Sequence, residues 1–161
     1  MKLRRFLGIT LLCVCFSMNI LASPAMAAVS FTKEPAGGAD TIYVAGNPDW
    51  YPVEYYNPKT ECYEGALPEL LKIISEKTGL NFTYIKSGEK DQRKRLAKNN
   101  QAEIISGCAS DDPLMQISGV TPGSVILSIS EKNEKIQAVF AYTAVADKAL
   151  KDKIETALKG I

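Results

Sequence analysis

Between residues 41 and 107 the chain reads strand, hairpin, helix, strand, helix, strand, and that order admits few folds. Ile42-Tyr43-Val44-Ala45 is a short β-rich run closed by Gly46-Asn47-Pro48. Residues 52–64 read as a β-hairpin turning at Asn57-Pro58-Lys59-Thr60. Leu67, Leu70, Leu71 and Ile74 then fall on one helical stripe. Pro68 suits the first turn of that helix, Glu69 and Lys77 complement its dipole, and Gly79 is the expected left-handed cap. Leu80 to Ile85 alternates as a strand, Glu89 to Asn99 is a polar helix, and Ala102 to Ile105 is a strand ending at Ser106-Gly107. Strands separated by helices in this way lie parallel, joined by crossovers.

Past Gly107 the pattern loosens. Residues 108–123 are loop-like, with one helical turn near Pro113-Leu114-Met115. Strands are expected over 124–129 and 136–143, joined by a turn at 131–135. Asp147 is a good N-cap for a last helix whose buried stripe would be Leu150, Ile154, Leu158 and Ile161. The expected class is therefore α/β: a three-layer sandwich with a mostly parallel sheet of about five strands and crossover helices.

The address is written in residues 1–27. Lys2, Arg4 and Arg5 precede an apolar run from Phe6 to Ala22, and Ala25-Met26-Ala27 offers a small-x-small cleavage site. This has the form of a secretory signal peptide cleaved near Ala27, so a secreted or periplasmic product is expected. Residues 28–40 read as a flexible leader, with Pro35 and Gly37-Gly38 opposing regular structure, and residues 41–161 form the domain. After cleavage 134 residues remain, enough for one ordinary domain. They carry 16 basic and 18 acidic side chains, a balance that does not invite nucleic acid.

The chain has no histidine, which removes Ser-His-Asp and Cys-His catalysis and most zinc hydrolase chemistry. The mature part keeps two cysteines, Cys62 and Cys108. In an oxidising compartment they form a disulfide or stand apart as small hydrophobes, and sequence does not choose between the two. Two cysteines without histidine do not complete a metal site, and neither a metal nor a cofactor is expected.

The stretch IYVAGNPDWYPVEYYNPKTECYEGALPELLKIISEKTGLNFTYI, followed by RLAKNNQAEIISG, resembles the N-terminal lobe of family 3 extracellular solute-binding proteins, which have the type 2 periplasmic-binding-protein fold. The tail AVFAYTAVADKALKDKIETALKGI is similar to the segment that returns to that lobe. The resemblance implies a non-enzymatic capture or sensing domain, serving either an ABC importer or a signalling receptor. Its ligand would be a small polar solute, and its partner a membrane permease or sensor protein. It also places the ligand at the carboxyl ends of the strands.

On that footing five residues are candidates for the ligand site. Trp50 would stack on the ligand, unless it is a hydrophobic plug beneath the hairpin. Asn47 and Asp49 would accept hydrogen bonds from it, unless they only shape their turn. Ser106 and the Gly107 amide would donate to it, unless they only turn the strand into its loop.

Two departures from the family pattern stand out. The amino-acid binders carry an arginine soon after the strand-end serines, whereas residues 108–114 here hold none and include Asp111 and Asp112. A cationic or neutral ligand therefore suits the local charge better than an ordinary α-amino acid. Only about 28 residues separate Cys108 from Ile136, too few for the second lobe that closes on ligand.

Two rival readings follow. One is an interaction module with a vestigial pocket. The other is a carboxylate-dependent dehydratase-like enzyme using Glu54, Glu64 or Asp111. The basic cluster Lys90, Arg93, Lys94, Arg95 and Lys98 reads as the solvated face of the second helix, with attraction to an anionic surface as the alternative.

Overall fold

The computed structural model describes residues 41–86, 89, 91–131 and 134–161. The proposed signal peptide and leader lie outside the described residues. The first described residue, Thr41, opens β1 (Thr41–Ala45).

The main sheet has the strand order β5-β1-β6-β8-β7, with β5 Asn81–Tyr84, β6 Ile104–Ala109, β7 Thr121–Glu131 and β8 Glu134–Tyr142. β1 pairs in parallel with β5 on one side and β6 on the other, as two crossover connections require. β8 is antiparallel to both β6 and β7, so four strands run one way and β8 alone runs against them. A second, antiparallel sheet joins β2 (Asp49–Trp50), β3 (Glu54–Asn57) and β4 (Cys62–Glu64). The hairpin expected over 52–64 is β3–β4, and β2 adds a short third strand to it.

Among the described residues three helices flank the sheets: α1 (Ala66–Thr78), α2 (Gln92–Lys98) and α3 (Lys148–Leu158). A short 3₁₀ turn at Pro113–Gln116 is the helical turn expected near Pro113. Leu67, Leu71 and Ile74 of α1 are buried, and Gly79 closes the helix at φ 71°. In α3 Ile154 is buried and Leu150 and Leu158 pack on the core, but Ile161 is 57% exposed. The expected stripe thus ends one turn early, because α3 stops at Leu158.

Two cores on opposite faces make three layers. Along β1, Ile42 and Val44 belong to the core shared with α1 and α3, while Tyr43 and Ala45 belong to the core shared with α2. Along β8, Phe140 and Tyr142 join the first core, and Val139 and Ala141 the second. β6 breaks this alternation: Ile105 and Cys108 both join the α2-side core although they are three residues apart. The cause is a bulge. Ile105 pairs with Ala141 and Cys108 with Val139, so Ser106 and Gly107 together face one residue of β8.

Candidate functional site

The strand expected to end at Ser106-Gly107 continues as β6 through Ala109, so the bulge lies within β6, beside the carboxyl ends of β1 and β5. Gly107 has φ 59°, and a Cβ there would come within 2.5 Å of both Asn47 Cβ and Glu54 Oε2. Only glycine accepts both the left-handed backbone and that approach. The close approach at Gly107 is thus made by the protein's own side chains.

Glu54 is the centre of the cluster. It is fully buried, its Oε2 accepts a hydrogen bond from the Asn47 backbone N–H at 2.5 Å, and its Oε1 accepts one from Tyr84 Oη at 2.7 Å. Burial raises its carboxyl above the usual carboxylate range, against the opposing pull of the Asn47 N–H, Ser106, Tyr84 and the positive charge of Arg93. Burial, with the charge of Glu54 beside it, likewise lifts the Tyr84 phenol well above its ordinary value. Tyr63 stacks on Tyr84 with ring centroids 4.8 Å apart and donates to the Gly46 carbonyl at 3.2 Å. Aromatic rings therefore seal one side of a polar cluster.

The structure brings Asn47, Ser106 and Gly107 together. Asn47 uses both ends of its amide: Nδ2 donates to the Gly107 carbonyl at 2.9 Å, and Oδ1 accepts from the Asp49 N–H at 3.1 Å. Ser106 is fully buried, and its Oγ lies close enough to Glu54 and Tyr84 to favour their charged forms, yet reaches neither at hydrogen-bonding geometry. Asp49 is exposed. Trp50 is half-buried and packs against the α1-side core. Its register partner across the ribbon is Glu54, so the two side chains share one face of the small sheet.

Arg93 was not a candidate for this site. The sequence reading placed it on a solvated helix face, but its side chain is only 15% exposed. Nη1 donates to the Gly107 carbonyl at 2.8 Å and pairs with Asp112 at 3.4 Å. Residues 108–114 hold no arginine, and α2 brings one to the β6 bulge. Periodicity carried a hint of it, since Arg93 lies four residues before the buried Ala97 on the inner face of α2.

Of the two alternatives left open for the cysteines, the structure has them apart. Cys62 and Cys108 are both free: Cys62 is exposed on β4, whereas Cys108 is buried in the α2-side core. Burial pushes the Cys108 thiol up to about 12, only partly opposed by Arg93. The carboxylates of the enzyme reading are dispersed in their roles. Glu64 accepts from Tyr55, Asn57 and Thr60 and so fastens its own hairpin, while Asp111 is exposed.

No family model matches the sequence, and no curated protein aligns with it significantly. Solved structures do resemble it. Domain 1 of TmArgBP from T. maritima, in its arginine-bound form, superposes with a TM-score of 0.60 at 15% identity, covering 76% of this chain and 94% of that one. Substrate-binding domain 2 of GlnP from Lactococcus lactis gives 0.60 at 12% identity, over 77% of this chain and 90% of that one. The BvgS periplasmic domain from B. pertussis gives 0.63 at 9% identity, over 76% of this chain and 40% of that one. The fold is that of a single lobe of a type 2 periplasmic solute-binding protein. Among the described residues no helix is long and apolar enough to cross a membrane.

Proposed function

We propose that this domain captures a small polar solute outside the cytoplasm, at the strand ends around Ser106. The observation that carries the reading is the β6 bulge. It holds a buried hydroxyl without a partner of its own, in the place where open α/β sheets bind their ligands. A solved neighbour of the same single-lobe form is described with arginine bound, which supports capture by one lobe and an amino-acid-like, cationic ligand. Asp49, exposed at the start of β2, supplies a matching negative charge. Ser106 is fully buried in the present state, so entry requires a local opening, which we place at the Asn47–Trp50 loop because Asn47 ties that loop to the bulge at Gly107. The same capture step serves the permease of an ABC importer or a membrane sensor.

Trp50 is the only tryptophan in the chain, so its emission reports on that loop. Titration with arginine, lysine, ornithine, putrescine and glutamine is expected to shift the Trp50 emission and raise the melting temperature for a cationic amino acid. Ser106→Ala should weaken that ligand by about tenfold, the worth of one buried hydrogen bond. A well-folded sample that responds to none of them rules out independent capture.

One observation favours the interaction-module reading: both ends of the Asn47 amide are already engaged within the protein. Recovery of a defined extracytoplasmic partner without added solute, undiminished by Ser106→Ala, would decide for it.

A further inference from the structure

A groove of about 910 Å³ runs between α2 and the segment from Asp112 to Gly119. It lies on the α2 side of the sheet, and Asn47, Glu54 and Ser106 take no part in it. Three cations line it, Arg93, Lys94 and Lys98, against two carboxylates, Asp91 and Asp112. Asp112 is already engaged: one oxygen pairs with Arg93, and the other accepts from the Leu114 N–H at 2.9 Å. Arg93 is held in place through Nη1 alone, and its Nε is buried without a hydrogen-bond partner. Lys94 and Lys98 are exposed, one helical turn apart, and form no ion pair among the described residues. That spacing is about 6 Å along the axis, on the same face of α2. Asn100 and Ser118 add neutral donors to the lining.

We propose that this groove binds a small oxyanion carrying two or more charges, a di- or tricarboxylate or a phosphate. The guanidinium is pre-oriented by its bonds to Gly107 and Asp112, so fixing it costs little side-chain entropy on binding. The two lysines are placed to meet charges spread along the ligand. Concavity favours a small ion over a membrane plane. Arg95, which a flat basic face would recruit, is paired with Glu89 at 3.2 Å instead.

The test uses the secreted chain, with citrate and inorganic phosphate titrated separately by calorimetry at low ionic strength. Saturable binding of either is expected, and the stronger of the two identifies the ligand chemistry. Lys94→Ala/Lys98→Ala should weaken it at least tenfold with an unchanged melting temperature. The charge-matched Lys72→Ala/Lys159→Ala variant, on α1 and just beyond α3, should bind as the parent does. No saturable heat with either ion, or equal loss in both double variants, overturns the proposal. So does binding to vesicles of anionic phospholipid that citrate fails to compete. The residues altered are not those of the solute site, so either proposal can fail without the other.

Discussion

At the residue scale, Glu54 and Gly107 carry the site. Because the carboxyl of Glu54 is raised in the folded state, the native protein binds its proton more tightly than the unfolded chain does. Its contribution to stability is therefore fully present below the ordinary carboxylate value and falls as pH rises through the raised one. Glu64 has the opposite sign. Hydrogen bonds from Asn57, Tyr55 and Thr60 lower it, so its contribution is lost as pH falls through its folded value. Glu54→Gln keeps the shape and an acceptor while removing the charge. Urea melts from about pH 4 to 8 should show the fall toward neutrality flattened in this variant. An unchanged slope would mean that Glu54 is not the group responsible. Gly107→Ala should cost about 2–4 kcal/mol, combining a left-handed backbone with crowding against Asn47 and Glu54. A midpoint within error of the parent would show that the bulge relaxes around the methyl group.

At the element scale, local chemistry sets the helix ends. Asp147 caps α3, its Oδ1 accepting from the Leu150 N–H at 2.7 Å. Asp147→Ala should cost about 1 kcal/mol in chemical denaturation, and Asp147→Ser should restore most of it. Both α1 and the cap of α3 were legible in the sequence because helix stripes and capping residues act over a few positions. The bulge was not legible, since Ser106-Gly107 reads as the end of a strand, whereas β6 runs on through Ala109. Only the pairing with Ala141 and Val139 shows that two residues of β6 oppose one of β8. That slip turns Cys108 into the α2-side core and leaves Ser106 beside Glu54 and Tyr84. The place of Arg93 was hidden for the same reason, because the carbonyl that holds it belongs to the bulge, 14 residues further along the chain.

At the scale of the whole molecule, β7 and β8 pair from Thr121↔Tyr142 to Glu131↔Glu134. The lobe closes its own sheet, with β7 as the outer strand. The cysteines also belong to this scale, since whether they meet depends on how the small sheet sits against the main one. Under native conditions a maleimide should label Cys62 promptly and leave Cys108 untouched until the chain is denatured. A mass two units low with neither thiol labelled would instead show a disulfide.

The sequence by itself determined the crossover order and the helix stripes and caps, because these follow from periodicity and turn chemistry acting over short stretches. Tertiary structure alone decided that Glu54 is buried, that Arg93 reaches the β6 bulge, that the Asn47 amide is spent internally and that the cysteines stand apart. Each of these depends on which distant atoms arrive within bonding distance once the layers pack, and no local pattern encodes that.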